Sequence, residues 1–213
     1  MGEYSQALVF YEKALGIKER SLPANHPSLA ASYNNIGGAY DSMREHTQAL
    51  SFYRKALAIQ KKTLPGDHPD LAASLNNIGL VYYHMQEYAQ AVSFYDEALA
   101  IKEKSLPANH PSLAASYNNI GGAYDSMGEY SRALSFYEKA NAIFEETLPA
   151  SHPSLAGSYN NIGGAYYSMG KYSQARSYVQ KALERQKLSL PSDHPDIKVS
   201  QNYLELVNKE LQE

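Results

Sequence analysis

Seven histidines and no cysteine set the terms on which this 213-residue chain could do chemistry. Five of them, His26, His68, His110, His152 and His194, recur every 42 residues, each followed by proline; two follow an aspartate, as Asp67-His68 and Asp193-His194. Imidazole and carboxylate are zinc ligands and the parts of acid–base dyads. Equivalent residues on successive packed helices, however, lie at least about 8–10 Å apart, whereas a zinc–nitrogen bond is about 2 Å. The recurring histidines therefore cannot share an ion, and they are expected in the turn that starts a helix. His46 and His84 are singletons, read as having no partner in their own units. No phosphate-binding loop, nucleophile elbow or paired-carboxylate pattern occurs. The chain is expected to be no enzyme, with no metal and no cofactor.

The element that positions all of these residues is the stretch LPANHPSLAASYNNIGGAYDSM at 22–43, which returns letter for letter at 106–127. Close copies begin at Leu64, Leu148 and Leu190. A fixed period of this length marks a stack of supersecondary units, each packing on its neighbours. The array divides into a half unit at 1–21, full units at 22–63, 64–105, 106–147 and 148–189, and a half unit at 190–213. Met1, Met43, Met85, Met127 and Met169 all fall on one repeat position, so the chain starts inside a unit, as an excised piece of a longer array or one begun at an internal start codon would.

Each unit reads as two helices. Asn25, Asp67, Asn109, Ser151 and Asp193 are good N-cap types, and the proline that follows fits the first turn. Leu29, Tyr33, Ile36 and Tyr40 recur at three- and four-residue spacing and make one apolar face. Gly128 and Gly170 sit where a helix ends on a left-handed residue, with Arg44 and Gln86 in that place earlier, at a cost of about 1 kcal/mol if the turn needs positive φ. The second helix carries Ala49, Phe52, Tyr53, Ala56, Leu57 and Ile59 as its stripe and stops near Thr63, because Leu64 precedes Pro65. Its charged residues, among them Glu12-Lys13, Lys61-Lys62 and Glu145-Glu146, are expected on a solvated face.

A net charge of −3 and a pI near 6.2 leave no footprint for nucleic acid or acidic lipid. No run of apolar residues is long enough to span a membrane, and residues 1–16 lack the pattern of a signal peptide. With no cysteine, an intracellular, cytoplasmic protein is expected.

Tyr33-x-x-Ile36-Gly37-x-x-Tyr40 followed by Ala49-x-x-x-Tyr53-x-x-Ala56 resembles the tetratricopeptide pattern, with tyrosine where that family prefers tryptophan. The 42-residue period, the L-P-x-x-H-P junction and the N-N-I-G run resemble the longer tetratricopeptide-like repeats of kinesin light chains. The resemblance implies an all-α right-handed solenoid acting as a protein-binding scaffold. It also implies that the arc opposite Tyr33, Ile36 and Tyr40 lines a concave groove bearing a ladder of Asn34/Asn35, Asn76/Asn77, Asn118/Asn119 and Asn160/Asn161. A carboxamide both donates and accepts, so such a ladder could hold the backbone of an extended peptide. It could equally brace neighbouring first helices; both readings stand on sequence alone.

Specificity is expected around Leu80, Tyr83 and His84, where the repeat's monotony breaks, with Asp125 and Tyr167 at the matching places further on. The groove arc of the four full units carries no lysine or arginine. That disfavours acidic ligands and favours a neutral or mildly basic peptide or partner segment. The alternative is a spacer, or a module that stacks weakly head to tail through its unpaired terminal helices.

Overall fold

A computed structural model of the chain describes residues 2–212; Met1 lies outside the described residues. Among the described residues the regular structure is ten helices: α1 (Gly2–Ser21), α2 (Pro27–Ser42), α3 (His46–Thr63), α4 (Pro69–His84), α5 (Tyr88–Ser105), α6 (Pro111–Ser126), α7 (Tyr130–Thr147), α8 (Pro153–Ser168), α9 (Tyr172–Lys187) and α10 (Pro195–Glu210). They form two compact units, residues 1–106 and 107–213. In the first, α2 pairs with α3 and α4 with α5, while α1 packs on α2 and α3 on α4. In the second, α6 pairs with α7 and α8 with α9, while α7 packs on α8 and α9 on α10.

The helix starts correct one expectation. The caps are the histidines and not the residues before them: Nδ1 of His26, His68, His110, His152 and His194 accepts the backbone N–H two residues on, at 3.1–3.2 Å. The proline stands at the first helical position, so the cap falls one residue later than Asn25 or Asp67, and a neutral imidazole supplies the acceptor that Asn or Asp would supply elsewhere. The recurring histidines thus belong to the helix starts, as their spacing required.

The helix ends follow the sequence. Gly128 and Gly170 have φ of +77° and +71°, and Arg44 and Gln86 adopt the same left-handed conformation at +62° and +63°. α3 ends at Thr63 on an extended Leu64.

The core of each pair is set by close approach. Ile36, Ile78, Ile120 and Ile162 are fully buried. Beside Ile78, a Cβ on Gly79 would stand 2.7 Å from the ring of Tyr95 and 3.2 Å from the carbonyl oxygen of Ala91, so α4 seats on α5 only because that residue is glycine.

Successive pairs are also stitched by tyrosine hydroxyls. Tyr33 donates to Glu19 at 2.8 Å and Tyr159 to Glu145 at 2.6 Å. Glu145 is exposed, as expected, and also hydrogen-bonded: the Tyr159 hydrogen bond, helped by Asn141, Lys181 and Arg185 and opposed by burial, holds its carboxyl below the usual range.

Candidate functional site

The asparagines divide by position. Asn34 and Ser74 exchange hydrogen bonds between α2 and α4, at 3.0 Å from the amide nitrogen and 3.2 Å back to Oδ1. Asn160 reaches Ser200 on α10 at 3.4 Å. In these places the first asparagine of the pair braces neighbouring first helices. Asn118 and Ser158 occupy the matching position between α6 and α8, yet Asn118 Oδ1 and Ser158 Oγ are buried with no partner among the described residues. Asn76 and Asn119 make interactions of their own. The second asparagine is freer: Asn35 and Asn161 are exposed and Asn77 is half-buried.

In the first unit, Asn34, Asn35 and Asn77 line a cleft of about 560 Å³ together with Gly38, Tyr11 and Tyr53. Burial, and then the charge of Asp41, push the Tyr53 hydroxyl up to about 12, so it is a neutral hydrogen-bonding group across the physiological range. A second cleft of about 260 Å³ lies among α2, α3 and α4, with Asn34, Gln60 and Asp70 on its walls. Its counterpart in the second unit is a cleft of about 440 Å³ walled by Asn160, Arg185, Gln186, Asp196 and Ser200.

Both clefts expose the same shortage. Gln60 Oε1 in the first, and Gln186 Oε1, Asn160 Oδ1 and Arg185 Nε in the second, are buried with no hydrogen-bond partner among the described residues. Unmatched buried acceptors cost free energy, on the order of 1–3 kcal/mol each, and a ligand donor would relieve that cost. Sequence reasoning missed Gln60 and Gln186, which lie on the second helix. The available signal was a polar residue interrupting the apolar stripe at a position that reads Lys18, Gln60, Lys102, Phe144 and Gln186 along the chain.

The region expected to carry specificity holds several side-chain contacts. Leu80 is half-buried on α4. Tyr83 packs edge-on against His84 and Tyr88, with ring centroids 6.3 and 5.4 Å apart. His46 provides a correction, because it finds a partner, Asp41, in its own repeat unit, while His84 meets the same aspartate from the next repeat unit. Nδ1 of His46, at the start of α3, and Nδ1 of His84, at the end of α4, lie 3.2 and 3.1 Å from the same oxygen, Asp41 Oδ1. In the second unit, Asp125 Oδ1 is buried without a partner among the described residues, and burial raises its carboxyl above the usual value. Tyr167 packs on Tyr172 and Tyr203 and donates to Glu210 at 3.5 Å.

Capped helix pairs at a 42-residue period, with clefts between successive first helices and no assembled acid–base or nucleophilic machinery among the described residues, define the class: an α-helical repeat scaffold. Comparison with known proteins carries this further. The family model described as tetratricopeptide repeat matches residues 1–62 and 70–146, and a second model of that description matches 155–196, so the chain belongs to the tetratricopeptide repeat family. No curated protein matches it.

Among solved structures it is similar to nearly identical TPR-like repeats from Podospora anserina assigned to a kinesin light chain (28% identity, 89% of this chain and 90% of that one, TM-score 0.78). It also resembles BtubC (BKLC) from P. vanneervenii (23% identity, 91% and 78%, TM-score 0.79) and the apo form of RapI (22%, 86% and 64%, TM-score 0.75). The last two establish likeness of fold alone. No described helix is long and apolar enough to cross a membrane.

Proposed function

We propose that the chain is a non-enzymatic protein-interaction scaffold that holds an extended peptide or partner segment in the clefts beside its first helices. The observation that carries this reading is the buried, unmatched carboxamide oxygen of Gln60 in one cleft and of Gln186 in its counterpart, with exposed Asn35 on the wall of the first. Backbone N–H groups of an extended peptide are the donors such acceptors lack. The ligand is neutral or mildly basic, because the first-helix arc carries no lysine or arginine while Asp70 and Asp196 line the clefts. Partner binding is intracellular, and involves neither nucleic acid nor membrane.

Head-to-tail stacking is opposed by one residue. α10 carries Glu205 where α2 carries Gly37, and a Cβ at Gly37 would already stand 2.8 Å from the Tyr53 ring. α1 presents Tyr11 at the position of Tyr53, so a second copy's α10 could not seat on it in the same way. The spacer reading has no observation in its favour.

The test is a peptide-display selection on the full chain, run beside Gln60→Leu/Gln186→Leu and Asn35→Ala/Asn161→Ala variants shown to be folded by circular dichroism. A shared motif enriched on the parent, and bound at least about tenfold more weakly by the variants, is expected. Enrichment of polyacidic peptides, or of nothing, overturns the reading.

A further inference from the structure

His46 and His84 are the only histidines outside the His-Pro junctions, and each breaks the repeat. The position of His46 is tyrosine elsewhere, as Tyr4, Tyr88, Tyr130 and Tyr172; that of His84 is serine, as Ser42, Ser126 and Ser168. Two independent departures from a near-identical background converge on one carboxylate. The Asp41 and His46 side chains are largely shielded, at 13% and 22% exposure, while His84 is open at 39%. One ligand atom from each of the three residues falls within 4.8 Å of the others, and the two imidazole rings lie 5.6 Å apart at 42°.

We infer that Asp41, His46 and His84 form a site for a divalent cation of borderline softness, of which Zn²⁺ is the representative. Two nitrogens and one carboxylate oxygen suit Zn²⁺ or its transition-metal neighbours, whereas Mg²⁺ and Ca²⁺ demand oxygen ligands. With metal–ligand bonds of about 2.1 Å, neighbouring donors in a tetrahedral shell stand about 3.4 Å apart. The two nitrogen-to-oxygen separations here, 3.2 and 3.1 Å, already approach that edge. Without the ion, the two Nδ1–H groups donate to Asp41 Oδ1; an entering cation takes the Nδ1 lone pairs instead, so each ring's proton shifts from Nδ1 to Nε2 by exchange through solvent. Three protein ligands leave a fourth position open, as in zinc sites that bind a further ligand. The backbone is supplied by rigid parts: the last turns of α2 and α4 and the first turn of α3.

The experiment is calorimetric titration of the full chain with Zn²⁺, paired with the visible absorption of Co²⁺ as a report of direct ligation. One ion per chain and inner-sphere Co²⁺ bands are expected. His46→Tyr/His84→Ser should abolish both signals while leaving the fold intact, since each change restores the residue found at the same position in other units; Asp41→Asn should weaken binding about tenfold or more. Absence of saturable binding would overturn the site and leave Asp41 as a hydrogen-bonded brace among three helices. Binding undiminished in the double variant would also overturn it, assigning the ion to the helix-capping histidines. Peptide capture, as proposed, rests on Gln60, Gln186 and the asparagines, and is read separately from either result.

Discussion

Asp41 and Asp125 occupy the same repeat position on α2 and α6, in helices of identical sequence from Pro27 to Ser42 and from Pro111 to Ser126, yet their surroundings differ completely. Asp41 Oδ1 meets two imidazoles. Asp125 Oδ1 meets no partner among the described residues, because Tyr130 and Ser168 stand where His46 and His84 stand. A repeat fold fixes where a side chain is placed; the neighbouring units decide what it does there. Individuality in such an array resides in small groups of residues that depart from the repeat together.

The same contrast operates in the core, and there it gives the largest expected effect. Gly79 faces the buried ring of Tyr95, whereas its counterpart Gly163 faces Val179 Cγ2 at 3.0 Å and the Ala175 carbonyl at 3.5 Å. Gly79→Ala must displace a side chain that is 2% exposed, and overpacking of this kind costs roughly 1–3 kcal/mol, offset in part by the roughly 1 kcal/mol that alanine gains in helix propensity, for a net loss of up to about 2 kcal/mol. Gly163→Ala needs a shift of only a few tenths of an ångström and should be close to neutral. Urea denaturation of the two variants, read against the parent, checks the difference; equal losses would mean that Tyr95 does not govern the approach of α4 to α5.

The metal inference can be sharpened by transplantation. Tyr130→His/Ser168→His should give Asp125 the two imidazoles it lacks, raising Zn²⁺ stoichiometry from one to two per chain with affinities within about tenfold of each other. Calorimetry checks the count. A stoichiometry that stays at one would mean that the second unit holds these three positions in a different geometry.

The fold was legible because the punctuation of the chain recurs with it. His-Pro starts, left-handed ends and the Leu64-Pro65 stop all mark boundaries by local chemistry that needs no knowledge of the rest of the molecule. The cap itself was misplaced by one residue, since imidazole is not among the favoured cap types and Asn25 or Asp67 is. The site was less legible. Whether Asn34 binds a ligand or a neighbour depends on Ser74, 40 residues away, and a carboxamide carries no sign of which partner it will take. The Asp41 group is harder still: Asp41 and His84 are 43 residues apart in a 42-residue repeat, so aligning the units places them on different positions and conceals their meeting.

Smaller effects follow from the turns. The first unit ends α2 and α4 on Arg44 and Gln86 at positive φ, while the second uses Gly128 and Gly170. Arg44→Gly and Gln86→Gly should each stabilise the chain by about 1 kcal/mol, because a Cβ in the left-handed region carries a steric cost that glycine avoids. Gly128→Arg should cost a similar amount. The thermal midpoint of the doubly substituted chain should rise by roughly 4–8 °C if the increments add. A midpoint that does not move would mean the long side chains recover the strain through contacts of their own.

The smallest effect returns to Asp125. Burial raises its folded-state pKa above that of the unfolded chain, so between the two values the folded chain binds the proton more tightly. Its contribution is therefore most favourable below the unfolded value and is lost as pH rises through the folded one. Asparagine keeps the shape without the charge, so Asp125→Asn should raise the midpoint at pH 7, by less than about 4 °C, and the gain over the parent should shrink towards zero near pH 3. At Asp41 the same change weakens an acceptor that holds two imidazoles, and the midpoint at pH 7 should fall. Calorimetric melts of the two variants at both pH values check the opposite signs. A gain from Asp41→Asn would mean that the two imidazoles do not stabilise that carboxylate, and the comparison with Asp125 would lose its physical basis.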